Sequence, residues 1–275
     1  MTTNTLQGTL RKMHNEHLTP VSYQLPVGDE LLPLNELLGK KLTLNFLDEI
    51  FCIACGRKTK KSFNQGYCYP CLRKLAQCDT CIIKPEKCHY AQGTCREPEW
   101  GETHCMVNHI VYLANSSGLK VGITRETQVP TRWMDQGAIQ ALPLFRVKTR
   151  YHSGLVEVAI AENIADKTNW RAMLKGEVEL LDMIAERAKV LEMCAPALQQ
   201  LGVTLEDENL EPLAEQPLSF EYPVIEYPTK VSSFNFDKTA EVGGTLMGIK
   251  GQYLIFDGGV INIRKFAGYN VTVSY

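Results

Sequence analysis

The chain has 275 residues, 44 % of them hydrophobic and 22 % charged, so it can bury at least one substantial core. It contains no apolar run of about 18 residues, and the start Met1-Thr2-Thr3-Asn4 lacks the features of a secretory signal, so we expect a cytoplasmic protein with no membrane span. The net charge of −2 hides two opposed regions, since residues 51–150 hold 15 Lys and Arg against 7 Asp and Glu, and residues 171–215 hold 4 against 10.

The first 50 residues predict a small β unit, because apolar and polar residues alternate at 20–25 and 41–46. Residues 51–107 form a different segment, poor in aliphatic side chains and rich in Cys, Gly and Lys. Such a composition does not fold without a staple, and thiols in a reducing compartment favour metal over disulfides. We therefore predict that residues 51–107 bind zinc.

Four cysteines at the start of this segment give the most specific local pattern, Cys-x2-Cys-x12-Cys-x2-Cys, at Cys52, Cys55, Cys68 and Cys71. Two such knuckles present four thiolates as a tetrahedron, which is the ligand set of a structural zinc ribbon. An iron–sulfur cluster or a redox thiol pair is the alternative. A closed zinc site of this kind stabilises the fold and performs no catalysis.

A second cysteine group follows with less regular spacing, and two histidines lie beside it. Its five thiols are more than one zinc ion can bind, so we expect four of the seven side chains to bind one further zinc ion. The alternative is that the cysteines are small apolar residues buried in the fold. Neighbouring residues rarely both reach one ion, so the two histidines are expected to be bystanders. The candidates are Cys78, Cys81, Cys88, Cys95, Cys105, His89 and His104.

Residues 108–205 predict a central domain followed by a long helix. Two short apolar strands at 110–114 and 119–124 are joined by Asn115-Ser116-Ser117-Gly118, which suits a hairpin turn, and helical stretches follow around 130–141 and 154–165. Apolar residues then recur at helical spacing over 177–201, with Gly202 as the C-terminal cap. This amphipathic helix is acidic and could contact a protein partner.

The remaining chain predicts a connector and a second β unit. Residues 206–228 are acidic and contain four prolines, which favours an extended linker. Residues 229–275 contain a hairpin, 253–256 and 260–263 around Asp257-Gly258-Gly259, so we expect a small β barrel or sheet. Together the segments predict an α+β protein.

The central domain resembles the GIY-YIG nuclease superfamily. The likeness covers about residues 108–170: Ile110-Val111-Tyr112 stands for the first triplet and Lys120-Val121-Gly122 for the second, with Arg132 and Glu157 on later helices. It implies that Tyr112 helps deprotonate the attacking water. The second triplet departs from the pattern, because Lys120 replaces its tyrosine.

The resemblance also implies roles for the two charged residues. Arg132 would clamp the scissile phosphate, a task that suits a planar guanidinium, and Glu157 would hold one Mg²⁺ or Mn²⁺ ion. The alternative from the residues alone is that Tyr112 is a core aromatic, Arg132 a surface charge and Glu157 a solvated helix residue.

A second resemblance runs along most of the chain, to an uncharacterised bacterial family known only as a domain of unknown function. It rests on Arg132-Trp133-x-Asp135-Gln136-Gly137-Ala138, Asp166-Lys167-Thr168-Asn169-Trp170 and Gly248-Ile249-Lys250-Gly251-Gln252-Tyr253. This likeness implies no activity.

Three functions stay open at this point. The leading hypothesis is a zinc-containing, Mg²⁺- or Mn²⁺-dependent nuclease acting on DNA or RNA, consistent with the basic region. The others are a nucleic-acid-binding protein that has lost hydrolysis, and a zinc-stapled scaffold for a protein partner. The sequence does not define an oligomeric state.

Overall fold

The computed structural model describes residues 4–165, 167–205 and 210–275. It is a mixed α+β protein with several antiparallel sheets, which confirms the fold class that the sequence predicts. Asp166 of the second resemblance and the first four residues of the expected connector, 206–209, lie outside the described residues.

The regular elements are numbered here in chain order. The strands are β1 Thr5–Thr9, β2 His14–Glu16, β3 Ser22–Val27, β4 Glu30–Pro33, β5 Lys41–Phe51, β6 Lys58–Thr59, β7 His109–Asn115, β8 Leu119–Arg125, β9 Gln140–Val147, β10 Leu210–Pro212, β11 Leu218–Ser219, β12 Glu241–Lys250, β13 Tyr253–Phe256, β14 Gly259–Asn262 and β15 Tyr269–Ser274. The α-helices are α1 Tyr69–Lys74, α2 Pro98–His104, α3 Thr131–Asp135, α4 Arg150–Ala161, α5 Trp170–Lys175 and α6 Met183–Leu205.

The chain divides into two compact units. Unit 1 comprises residues 1–73, 174–176 and 220–275, and unit 2 comprises residues 74–173 and 177–219. The two ends of the chain, which the sequence suggests as separate β units, therefore fold together.

Unit 1 is built on a sheet with the strand order β1-β15-β5-β12-β13-β14. The long strand β5 lies between β15 and β12, so the segment that leads to Cys52 is held on both edges by the C-terminal part of the chain. Alternate residues of β15, Val271 and Val273, are fully buried, whereas Thr272 between them is not. This period of two is the pattern of a strand with one face on a core. A second sheet consists of β2, β3 and β4.

Unit 2 is built on an antiparallel sheet with the order β10-β9-β7-β8. Helices α4 and α6 pack on the face that carries Val111, Leu113 and Val121, and contribute Val156 and Val190 to its core. Strand β7 is buried along its whole length, because both faces and both edges are covered.

Several boundaries in unit 2 differ from the sequence expectation. The helix expected around 130–141 ends at Asp135, because Gly137 has a φ of +69° and strand β9 begins at Gln140. Helix α6 begins at Met183 and not near residue 177. The Asp182 carboxylate caps it by accepting from the backbone N–H groups of Ile184 and Ala185.

The segment before α6 is held by side chains of the sheet instead. The Gln140 amide oxygen accepts from the Leu181 backbone N–H at 2.9 Å, and the Asn115 amide donates to the Glu179 carbonyl at 2.8 Å. In the same way, the described part of the expected connector is not free, since β10 and β11 both pair with β9. Within the described residues, no helix combines the length and apolarity that a membrane span requires.

We predict that unit 2 loses stability as the pH falls, because of His109 on β7. Burial lowers the pKa of this side chain from 6.5 to about 4, although its Nδ1 lies 2.7 Å from the Val107 carbonyl. Below pH 6.5 the unfolded chain binds a proton that the folded chain excludes, so folding stability decreases from pH 6.5 toward pH 4.

Between pH 7 and pH 5 the free energy of unfolding should decrease by about 2 kcal/mol because of His109. Urea unfolding at both pH values measures it. His109→Gln should remove that share of the pH dependence, whereas the control His14→Gln, at an exposed position of β2, should retain it. An unchanged pH dependence in His109→Gln would contradict the prediction.

Candidate active site and metal centres

Four cysteines of unit 1 converge where β5 ends. Cys52 follows the strand directly and Cys71 lies on α1, with Cys55 and Cys68 between them in sequence. All four sulfurs lie within 4.8 Å of one another, and the Cys55 and Cys68 sulfurs are 3.8 Å apart. A Zn–S bond of about 2.3 Å places tetrahedral thiolates about 3.8 Å apart, so the four side chains fit a single zinc ion.

Backbone N–H groups of both knuckles surround Cys52. Gly56 adopts a φ of +69°, which only glycine reaches without strain, and its N–H donates to the Cys52 carbonyl. Burial opposes ionisation of the Cys52 thiol, but N–H groups of Cys68, Ala54 and Cys55 outweigh it and lower the pKa to about 6. A thiolate at neutral pH is the form that binds zinc.

The second cysteine group does not form a comparable tetrahedron. Among the described residues, the groups whose ligand atoms all lie within 4.8 Å are the first four cysteines and the set Asp79, Cys81 and His89. Four thiols of the second group nevertheless line one small cavity in unit 2, whereas Cys78 is not among its lining residues. The lining thiols are Cys81, Cys88, Cys95 and Cys105.

Asp79 and His89 are already engaged with protein groups. The Arg96 Nε lies 2.7 Å from the Asp79 carboxylate, and the His89 Nε2 lies 3.5 Å from it. The other His89 nitrogen contacts the Thr94 hydroxyl at 2.8 Å. His89 nevertheless belongs, with Asp79 and Cys81, to a set whose ligand atoms lie close enough together to hold a metal ion, whereas the sequence predicts that it is a bystander.

The hairpin β7–β8 places Tyr112 directly opposite Gly122. A Cβ at residue 122 would lie 2.8 Å from the Tyr112 hydroxyl oxygen, so the glycine gives the phenol ring its space. The side chain of Tyr112 is fully buried and lies against the Trp133 ring at 5.6 Å. The two triplets of the resemblance are thereby joined by a direct contact.

Gln136, just after α3, links the two strands to this helix. Its side-chain oxygen accepts from the Tyr112 hydroxyl at 3.0 Å and from the Lys120 ammonium at 2.8 Å. The Arg132 guanidinium donates to the Tyr112 hydroxyl, and the Glu157 carboxylate is close enough to act on it electrostatically. The structure thus brings Arg132 and Glu157 to the Tyr112 hydroxyl and connects Lys120 to it through Gln136.

The same surroundings keep the Tyr112 hydroxyl protonated. Burial raises its pKa to about 12, with Glu157 adding to the effect, while Arg132 and Gln136 oppose it. At neutral pH the group therefore donates a hydrogen bond and is a poor base. Lys120 is only 4 % exposed, and its Nζ donates to Gln136 within the cluster.

The sequence analysis did not single out one basic residue that lies near the second cysteine group. Arg150, the first residue of α4, donates through its side chain to the Ile82 carbonyl and through its backbone N–H to the Cys105 carbonyl at 2.8 Å. Its position at a helix start gave no signal, because burial of an arginine depends on what packs over it in the fold.

Comparison with known proteins assigns the chain to a family. A family model described as a protein of unknown function, DUF2797, matches residues 39–271. The chain belongs to this family. The match covers both cysteine groups and the whole Tyr112 cluster, and it confirms the broader of the two resemblances. Neither curated proteins nor solved structures give a match.

We predict that Cys55→Ser removes one zinc ion per chain, because it deletes a ligand that the other three thiols cannot replace. Elemental analysis of the purified full-length protein measures zinc, and unfolding should shift to lower temperature. Cys194→Ser is the matched control: Cys194 is buried on α6 beside Asn163, away from the cluster in sequence, and its loss should leave the zinc content unchanged. Equal zinc in wild type and Cys55→Ser would contradict the assignment.

Proposed function

We propose that unit 2 cleaves phosphodiester bonds of nucleic acid with the help of one Mg²⁺ or Mn²⁺ ion, as the GIY-YIG resemblance implies. One observation carries this proposal. The Tyr112 hydroxyl of β7 bonds to Arg132 of α3 and to Gln136, and Glu157 of α4 acts on it electrostatically. Lys120 of β8 joins the cluster by donating to the same Gln136 oxygen. A guanidinium, an ammonium and a carboxylate gathered in this way are the groups that phosphoryl chemistry uses.

The charged residues have distinct roles in the proposal. Arg132 binds the scissile phosphate and stabilises the charge that develops in the transition state, because its planar donors match two phosphate oxygens. Glu157 holds the divalent cation, which supplies charge neutralisation when bound. Both side chains are partly exposed and so remain accessible to a substrate.

Tyr112 and Lys120 have positioning roles. The Tyr112 hydroxyl accepts from Arg132 and donates to Gln136, which fixes the guanidinium relative to the strand pair. Lys120 donates to the same Gln136 oxygen, so the lysine that replaces the expected tyrosine completes this network. With its pKa at about 12, Tyr112 supports the reaction as a hydrogen-bonding group and not as a phenolate.

The charge distribution supports a polyanionic substrate. Residues 51–150 hold eight more basic than acidic residues. Part of this surplus is engaged internally, since Arg146 pairs with Glu126 and Glu211 and Arg96 pairs with Asp79. The remainder is consistent with phosphate contacts along a nucleic-acid backbone.

A second candidate function is binding without cleavage, and one observation favours it. Tyr112 has no exposed surface, and Lys120 is almost as buried. A cluster closed in this way stabilises the fold and leaves Arg132 as a phosphate-binding residue. A protein-partner scaffold is the third candidate, and α6 together with the acidic residues that precede it, Glu177, Glu179 and Asp182, is the feature that would serve it.

We predict that Glu157→Gln and Arg132→Ala each reduce metal-dependent cleavage by about 10²-fold or more, because one removes the cation ligand and the other a transition-state contact. Cleavage of labelled single- and double-stranded DNA and RNA, with and without Mg²⁺ or Mn²⁺, measures this. Glu162→Gln is the matched control, an exposed carboxylate just after α4 that should leave the rate unchanged.

Two results would contradict the nuclease proposal. Cleavage that persists undiminished in Glu157→Gln and Arg132→Ala would place the activity elsewhere or in a contaminant. No cleavage by the wild type, combined with binding that Arg132→Ala weakens, would establish the binding function instead.

We also predict that nucleic-acid binding weakens steeply with salt. If about five phosphates are neutralised, log K should fall with log salt with a slope of about −3.5 to −4.5. Arg132→Ala should reduce the magnitude of this slope by about 1. The control Lys189→Ala, which removes a charge already paired with Glu186 on α6, should leave it unchanged. A flat salt response would favour the scaffold function.

A further inference from the structure

We propose that Asp79, Cys81 and His89 of unit 2 bind a zinc ion, whose fourth ligand is the Cys105 thiol. The ligand atoms of the first three residues all lie within 4.8 Å of one another. The sequence alone favours a second zinc site without a carboxylate and with His89 as a bystander, so this ligand set differs from the expected one. The proposal does not depend on the nuclease function, since none of these residues belongs to the Tyr112 cluster.

The distance between His89 and Asp79 fits an ion between them. The His89 Nε2 lies 3.5 Å from the Asp79 Oδ2, which is longer than an N–H···O hydrogen bond of about 2.7–3.2 Å. Zinc binds imidazole nitrogen and carboxylate oxygen at about 2.0–2.1 Å, so two such ligands of a tetrahedral ion stand about 3.3–3.4 Å apart. The observed spacing therefore agrees better with two ligands of one ion than with a direct bond between the side chains.

The hydrogen bonds of His89 leave its Nε2 as the ligand atom. The Thr94 hydroxyl donates to the His89 carbonyl at 3.3 Å, so it accepts from the imidazole Nδ1, which lies 2.8 Å from it. This assigns the proton of the neutral ring to Nδ1 and the free lone pair to Nε2, the nitrogen that faces Asp79. A metal-binding histidine is held in the correct tautomer by a bond of this kind on its other nitrogen.

The Asp79 carboxylate is also held in place by its neighbours. The backbone N–H of Thr80 donates to Oδ1, and the Arg96 Nε lies 2.7 Å from Oδ2. A carboxylate oxygen has two lone pairs, so Oδ2 can accept from Arg96 and bind an ion at the same time. These bonds orient the carboxylate as the outer hydrogen bonds of a metal site do.

A small cavity beside these side chains has the size of a single ion. All three residues of the set line it, and it has room for about one water-sized sphere. A zinc ion would fill this space, and its fourth ligand would come from the other thiols in the lining. These are Cys88, Cys95 and Cys105.

Cys105 is the thiol best placed to complete the tetrahedron. Cys88 directly precedes His89, and neighbouring residues rarely both reach one ion. Cys105 lies close enough to Cys81 to act on its sulfur electrostatically, and it is buried, whereas Cys95 is partly exposed. The Cys105 sulfur lies outside the 4.8 Å set, so we expect its side chain to rotate toward the ion on binding.

A buried cation offsets the charge of this ligand set. Arg150 acts electrostatically on both Cys81 and Cys105, and its backbone N–H donates to the Cys105 carbonyl at 2.8 Å. Its side chain donates to the Ile82 carbonyl, which fixes the guanidinium beside the thiols. Zinc with one carboxylate and two thiolates carries net negative charge, and such a charge is stable in a protein interior when a cation lies next to it.

The local fold gives a reason for an ion at this place. Residues 76–105, all of which the structure describes, form four short 3₁₀ turns and the helix α2 and contain no strand. Asp79 and Cys81 lie at one turn, His89 directly precedes another, and Cys105 follows α2. One ion would therefore join three elements that are too short to be stable alone.

The test is the zinc content of the full-length protein after incubation with zinc under reducing conditions and removal of loosely bound metal. We expect about two zinc ions per chain, one on the four cysteines of unit 1 and one at this site. Cys81→Ser, His89→Gln and Cys105→Ser should each retain about one, and that ion shows that unit 1 is still folded. Cys81→Ser combined with Cys55→Ser should retain about none, because the two ions belong to separate sites.

His104→Gln and Cys78→Ser are the matched controls. His104 is the other histidine beside the cysteines, but its Nδ1 lies 3.0 Å from the Trp100 carbonyl, and Cys78 does not line the cavity. Both variants should retain about two zinc ions.

Three results would overturn the proposal or a part of it. Loss of zinc in His104→Gln equal to that in His89→Gln would overturn the role of His89, and two zinc ions in Cys105→Ser would overturn the fourth ligand. One zinc ion in the wild type, or two in both Cys81→Ser and His89→Gln, would overturn the site itself. None of these results bears on the cleavage assay, so the two proposals fail separately.

Discussion

The antiparallel register that sets Tyr112 opposite Gly122 is the constraint on which the centre of unit 2 depends. Because side chains alternate along a strand, this register sends Val111 and Leu113 into the core under α4 and α6 and turns Tyr112 and Lys120 to the other face. A slip by one residue would exchange the two sets, burying a lysine in the apolar core and dispersing the polar cluster. The core and the candidate site are therefore fixed by the same hydrogen-bond ladder.

The cysteine-rich segment differs from the rest of the chain in what can stabilise it. A typical domain is stabilised by apolar burial, but residues 51–107 have little apolar surface to bury, and their first four thiols lie close enough together to hold one metal ion. The two cysteine groups arrange their thiols differently. The first places its thiols on two tight knuckles beside β5, and the second spreads its thiols over several turns around a common cavity.

Unit 1 shows how distant segments complete a sheet. Strand β5, expected from its alternation, has as neighbours β12 and β15, which begin 190 and 218 residues after β5 ends. Its strand character is local and follows from its own residues. Its partner strands could not be predicted from the sequence, because backbone hydrogen bonds form between any two strands and do not depend on which residues pair.

The sequence by itself determined those features whose residues lie close together along the chain. The Cys52–Cys71 spacing predicted a compact four-thiol site, the turn at Asn115–Gly118 predicted the β7–β8 hairpin, and periodicity predicted most of α6. Only the tertiary structure decided which four thiols of the second group share a cavity, that Gln136 joins Tyr112 to Lys120, and that Arg150 is buried beside Cys105. Each of these depends on contacts between residues brought together by packing, and spacing along the chain does not encode such distances.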